Sequence, residues 1–168
     1  EFENELSTLT DGFSIQLGAI YKPSPNIRLG LSYQSPTWYR IQEELVQYVA
    51  TYREDSSDEV DPQIINLYEY NVKTPSKLST GLAYIFGNKG LISFEYNLVN
   101  FQNIEFDTQQ GNDDYINLNK EIKSTLKKTA TCRIGGEYRI EELSLRGGYF
   151  SHQNLNKTTP DFSKGYSL

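Results

Sequence analysis

Residues 12–35 read GFSIQLGAIYKPSPNIRLGLSYQS, and the alternation in this stretch is the strongest structural signal in the chain. Apolar residues occupy every second position on both sides of its centre: Phe13, Ile15, Leu17, Ala19 and Tyr21, then Ile27, Leu29, Leu31 and Tyr33. A period of two is typical of a strand with one apolar face. Residues 22–26 between the two runs (KPSPN) contain proline and asparagine, which favour turns. The stretch therefore predicts a β-hairpin.

Two later stretches repeat this pattern. Residues 81–84 (GLAY) precede a Gly-Asn-Lys-Gly turn, and Tyr96 follows Tyr84 by 12 residues. Residues 135–138 (GGEY) precede a Glu-Glu turn, and Tyr149 follows Tyr138 by 11 residues. Long polar segments separate the three hairpins. Short turns at one end, long loops at the other and aromatic residues at two levels are typical of a transmembrane β-barrel.

Composition narrows the function classes. The 168 residues carry a net charge of -6, and their mean hydropathy is -0.59. No run approaches the ~18 apolar residues of a membrane helix, but a barrel strand does not need one, because only alternate residues face lipid. The acidic balance argues against a nucleic-acid partner. One cysteine (Cys132) and one histidine (His152) leave no pattern for a disulfide, a metal site or a nucleophilic triad, so we expect no enzyme activity and no cofactor.

The remaining strands follow from the same alternation. The predicted strands are 13–22, 27–34 continuing through 38–52, 64–72 continuing through 78–86, 91–106, 129–140 and 143–152, with another beginning near Lys164. We expect breaks at Pro36 and Pro75, a solvated acidic loop at 54–61 and a short amphipathic helix within 107–128. Six to seven strands would leave open edges in hydrocarbon, so the segment cannot be a whole barrel. The absence of methionine also indicates a piece of a longer protein.

Several runs in the same order resemble one family. They are residues 12–23, 27–35, 74–84, 133–138 and 145–149. These runs are similar to the FadL/TodX family of outer-membrane transporters of hydrophobic compounds. The resemblance implies an all-β, antiparallel transmembrane β-barrel of 14 strands in a bacterial outer membrane, plugged by an N-terminal hatch. Residues 1–168 would then be one partial barrel domain that lacks the hatch and the remaining strands, with outer-membrane lipid and a hydrophobic small molecule as partners.

The polar face of the predicted strands carries the candidate head-group contacts. Arg133 and Arg146 lie on adjacent strands, and Arg28 is a third cation near a turn. An arginine in the lumen can hold a carboxylate through a bidentate pair. The alternative is that Arg133, Glu137 and Arg146 neutralise one another and only fill the lumen.

Aromatic residues in the long outer segments are the candidate capture site. They are Trp38, Tyr39, Tyr68, Tyr70 and Phe101. The sequence thus favours passive import of hydrophobic small molecules such as long-chain fatty acids or hydrocarbons. Two alternatives stay open: a barrel without transport that docks a secretion or surface-protein machine, and a soluble β-sandwich binding module built on the same tyrosines.

Overall fold

A computed structural model describes residues 2–53, 56–59, 64–108, 115–157 and 162–167. Its strands are β1 (Phe2–Phe13), β2 (Gln16–Tyr21), β3 (Ile27–Gln34), β4 (Trp38–Arg53), β5 (Ser56–Glu59), β6 (Ile64–Lys73), β7 (Lys77–Ile85), β8 (Gly90–Asn100), β9 (Glu105–Asp107), β10 (Lys128–Ile140), β11 (Leu143–Gln153) and β12 (Phe162–Ser167). A 3-10 turn spans Phe101–Asn103, and helix α1 spans Ile116–Thr125. Within these ranges, no helix is long and apolar enough to cross a membrane.

The strands form two antiparallel sheets. The main sheet has seven strands in the order β12-β11-β10-β8-β7-β3-β2. The second sheet, which we call the extension, has the order β1-β4-β6-β9, with β5 paired to the far end of β4. Each pairing in the described ranges is antiparallel. The all-β, antiparallel class predicted from the sequence is confirmed.

The extension continues the main sheet instead of stacking on it. Gln34 pairs with Lys77 on one side of the gap, and Trp38 pairs with Lys73 on the other, so Pro36 lies opposite Pro75. We call residues 35–37 and 74–76 the seam. The Thr37 backbone N–H donates to Thr74 Oγ1 (2.9 Å), and the Thr74 N–H donates to the Thr37 carbonyl (2.9 Å). The predicted breaks at both prolines are confirmed, and the sheet direction is carried across them.

The main sheet exposes a row of apolar side chains and covers the middle of its polar face. One row of paired residues crosses all seven strands: Tyr21, Leu29, Leu82, Phe94, Ile134, Tyr149 and Tyr166. We call it the apolar row, and each of its side chains is at least 40% exposed. On the opposite face, the polar row is Gly18, Ser32, Ser79, Asn97, Thr131, His152 and Ser163. Asn97 in this row is only 4% exposed. Soluble proteins bury the apolar class and expose the polar one.

This arrangement disagrees with the soluble sandwich alternative. A sandwich packs the apolar faces of two sheets against each other to form a core. Here the apolar row is open, and no large side chain in the described ranges is fully buried.

The structure corrects three boundaries of the predicted elements. The strand predicted over 91–106 ends at Asn100, whose side chain accepts from the Gln102 N–H (3.3 Å) and caps the 3-10 turn. Residues 56–59 of the acidic segment form β5, and residues 54–55 and 60–61 lie outside the described residues. The strand predicted over 13–22 is β2 and begins only at Gln16, and β1, which pairs with β4 in the extension, was not predicted. The helix predicted within 107–128 is confirmed as α1.

Candidate ligand-binding site

A cleft lies where β4, β6, β9 and α1 meet, beyond the seam. Its volume is about 640 Å³. Aromatic, aliphatic, amide and charged side chains line it: Trp38, Tyr39, Arg40, Asn71, Val72, Lys73, Glu105, Phe106, Asp107, Tyr115, Ile116 and Asn119. A concave site with apolar walls and a few polar groups is the usual form of a small-molecule pocket.

Two sets of hydrogen bonds hold α1, one to the extension and one to the segment that follows β11. Asn119 Oδ1 accepts from the Phe106 N–H (2.9 Å), and Asn119 Nδ2 donates to the Phe106 carbonyl (2.8 Å). The asparagine side chain thereby satisfies the backbone of β9 on the edge away from β6. At the other end of the helix, Lys157 Nζ donates to the carbonyls of Lys123 (3.0 Å) and Ser124 (2.6 Å). A cation at these last carbonyls stabilises the helix end.

The cations at the cleft are paired with carboxylates. Arg40 binds Glu69 (2.5 Å), and Lys73 lies 3.6 Å from Glu105. The hydrogen bonds that Arg40 and Gln42 donate to Glu69 hold the pKa of this carboxyl below its usual value. Because these charges compensate each other, the aromatic walls set the chemistry of the cleft, and it suits an apolar ligand better than an anion.

An aromatic cluster adjoins the cleft. The ring centroids of Tyr70, Phe106 and Tyr115 lie 6.4, 6.1 and 5.8 Å apart in pairs. The Tyr70 hydroxyl donates to Glu43 Oε1 (2.9 Å). Burial and this hydrogen bond raise the pKa of Tyr70. The cluster therefore fixes α1 on the sheet through its rings while keeping one carboxylate beside them.

The candidate arginines of the main sheet are separated into two ion-pair groups. Arg133 Nη1 lies 2.9 Å from Glu95 Oε1. Arg146 Nε lies 3.0 Å from Glu137 Oε2, and Arg139 Nε lies 2.6 Å from the other oxygen of Glu137. Among the residues that the structure describes, Arg28 makes no ion pair. The neutralisation considered for Arg133, Glu137 and Arg146 therefore holds for Arg146, whereas Arg133 pairs with Glu95.

Only some of the predicted aromatic residues lie at the cleft. Trp38 and Tyr39 line the cleft, and Tyr70 lies in the cluster beside it. Phe101 begins the 3-10 turn and does not line the cleft. Sequence reasoning missed Phe106, Tyr115 and Asn119 as site residues. The apolar spacing that predicts α1 was the available signal, but nothing in the local pattern places that helix against β9.

Fold and site together define an antiparallel β-sheet protein with an exposed apolar wall and an aromatic-lined cleft at one end. No family model matches the chain, and no curated protein matches it. A solved structure to which the chain is similar is the crystal structure of the Pseudomonas putida toluene transporter TodX, at 19% sequence identity and a TM-score of 0.46. The match covers 90% of this chain and 38% of that transporter, so the chain spans well under two thirds of its length.

Proposed function

We propose that this chain forms part of the wall of a bacterial outer-membrane β-barrel that passively admits hydrophobic small molecules. The observation that carries the proposal is the apolar row, in which seven neighbouring strands present only aliphatic and aromatic side chains to the outside. Lipid is the solvent in which such a face is favourable, since each Å² removed from water contributes about 25 cal/mol.

The backbone supports the same conclusion. The outer edges of β2 and β12 are open in the described residues, because the sheet order ends at these strands. In hydrocarbon every backbone donor and acceptor must be paired, so the proposal requires further strands at these two edges. The three short turns, at residues 22–26, 86–89 and 141–142, lie at the same end of the main sheet. The extension lies at the other end, as the longer outer loops of a barrel do.

The volume and lining of the cleft indicate which class of ligand would bind there. It lies at the extension end and has a volume of about 640 Å³, within the roughly 300–1,000 Å³ range of small-molecule sites. Its aromatic walls favour hydrocarbons and the tails of long-chain fatty acids. Passage then follows the polar face, where Gly18, Gly30 and Gly81 border a shallow depression of about 390 Å³. Arg133 and Arg146 are exposed enough for their ion pairs to exchange with a passing carboxylate.

Uptake of labelled oleate by cells with and without the gene tests the proposal. We expect faster uptake with the gene, and a loss of most of that gain in Trp38→Ser, because this change removes a wall of the cleft. Phe13→Ser is the matched control: Phe13 pairs with Trp38 and is exposed, but it does not line the cleft. Equal rates with and without the gene would refute import.

The second candidate is a barrel without transport that docks a secretion or surface-protein machine. The length of the extension favours it, since β4 alone has 16 residues. At ~3.3 Å per residue it reaches well beyond the membrane wall. Mass spectrometry of the protein purified from its native membrane distinguishes the two functions. Enriched fatty acids or hydrocarbons support import, and a stoichiometric protein partner supports docking.

A further inference from the structure

A second, smaller pocket adjoins the cleft on the side away from the seam. Its volume is about 320 Å³, and five residues line it: Glu43, Tyr68, Tyr70, Phe106 and Tyr115. Four of these are aromatic and the fifth is a carboxylate. We call this pocket the cage. It shares Phe106 and Tyr115 with the cleft, but none of the charged residues of the cleft lines it.

The rings of the cage have two roles. Tyr70, Phe106 and Tyr115 lie within 6.4 Å of one another and join α1 to the sheet. Tyr68 also lines the pocket, but it takes no part in these ring contacts and is 53% exposed. Its ring is therefore available to contact a ligand.

The carboxylate is not explained by packing. Glu43 is half-buried beside the rings, and its contact is one hydrogen bond from the Tyr70 hydroxyl (2.9 Å). Within the described ranges no lysine or arginine makes an ion pair with it. Two cations on the same strands pair with other carboxylates, Arg40 with Glu69 and Lys73 with Glu105. A partly desolvated charge without a counter-ion destabilises the fold. An apolar residue at this position would hold α1 at a lower free-energy cost.

We propose that the cage binds an organic cation of the alkylammonium or quaternary ammonium class. The electron-rich faces of aromatic rings attract such cations, and the attraction grows as the site excludes water. Glu43 supplies the balancing charge, and the hydrogen bond from Tyr70 orients its carboxylate. A metal ion is poorly served, because one carboxylate and a phenol are too few ligands. Cation binding in the cage does not depend on import through the barrel, because all five residues that line the cage lie outside the main sheet.

Choline and its neutral isostere 3,3-dimethylbutan-1-ol test the proposal by titration of the protein purified in detergent, with calorimetry and tyrosine fluorescence as readouts. The two probes have the same shape and differ in charge. We expect saturable choline binding and at least about tenfold weaker binding of the isostere. Equal binding of the two, or no saturable binding of choline, would overturn the proposal.

Substitutions locate the binding. Glu43→Gln keeps an acceptor for Tyr70 and removes the charge, and we expect choline affinity to fall by about tenfold or more. Glu44→Gln removes the same charge from the next residue, which faces away from the cage, and should change affinity by less than about twofold. Tyr68→Leu tests the rings at an exposed position that tolerates substitution: we expect loss of affinity there and retention in Tyr68→Phe. Equal effects of Glu43→Gln and Glu44→Gln, or of the two Tyr68 changes, would refute the cage.

Discussion

The main sheet and the extension share continuous strands and both expose apolar side chains, but in the extension helix α1 covers part of one face. In the main sheet, Leu82 and Ile134 are exposed while Asn97 is buried. In the extension, Arg40 and Glu69 face solvent, and Tyr70 and Phe106 are partly covered by α1. The two regions have the same backbone architecture. Under the proposed function, the main sheet faces lipid and the extension faces water, and the difference in burial reflects these two solvents.

The largest expected change in stability comes from replacing an exposed leucine with arginine in each of the two regions. Leu82→Arg puts a cation into the apolar row and should cost about 2–4 kcal/mol in the bilayer. Leu67→Arg changes a leucine of the extension that is even more exposed, at 75%, and should stay within about 0.5 kcal/mol. Denaturant unfolding of the protein in phospholipid vesicles measures both. Equal costs would mean that the two regions share one solvent.

A smaller difference is expected for the carboxylates. Glu95→Ala removes the acceptor of the Asn97 side-chain amide, which is buried, and should cost about 1–3 kcal/mol. Glu69→Ala breaks an exposed pair with Arg40 and should cost less than the Glu95 change, because water screens an exposed ion pair. The same unfolding experiment measures the two losses. Glu95→Gln, which keeps an acceptor, should recover part of the stability; no recovery would contradict a role for the Asn97 hydrogen bond.

A local effect is expected within the extension. Asn119→Ala removes both hydrogen bonds to Phe106, so the backbone amide of Phe106 should exchange with solvent at least about tenfold faster, equal to about 1.4 kcal/mol of local stability. Asn117→Ala, an exposed position on the same helix, is the control and should leave this amide unchanged. Hydrogen exchange followed by mass spectrometry measures both. An unchanged rate in Asn119→Ala would mean that α1 is held by its rings and Lys157 alone.

The smallest effect concerns pH. Because the folded pKa of Glu69 is lowered, its contribution to stability is present above the unfolded pKa of about 4.3 and is lost as pH falls through the folded pKa. Arg40→Ala should raise the Glu69 midpoint toward its ordinary value, since Arg40 is the main cause of the shift. NMR titration of the Glu69 carboxyl measures the midpoint. If Arg40→Ala left it unmoved, the ion pair would not form in solution.

Local patterns in the sequence were enough for the hairpins and their interruptions. Alternation of apolar residues predicted β2, β3, β7 and the later strands, and Pro36 and Pro75 marked the seam, because proline cannot donate to a sheet. The spacing of Ile116, Leu118 and Ile122 predicted α1. Strand β1 was missed, since residues 2–12 are too polar to alternate clearly.

The candidate site was predictable only in part. Trp38, Tyr39 and Tyr70 stood out as aromatic residues in outer segments, and two of them line the cleft. The pairing of β9 with β6 joins Val72 to Phe106, which are distant in sequence, and no local rule specifies it. The ion pair of Arg133 with Glu95, in place of the expected Glu137, also depends on strand register. Arg133 lies directly opposite Glu95 on β8.

Alternation and turn residues were sufficient to predict antiparallel hairpins with one apolar and one polar face, because both act over a few positions. Which face is covered, how the extension joins the main sheet at the seam, and how α1 closes a cleft and a cage all depend on tertiary contacts. Those features depend on pairings such as Asn71 with Asp107, which are far apart in the sequence. Local patterns carry no information on such contacts, since their free energy comes from surfaces that distant segments bury together.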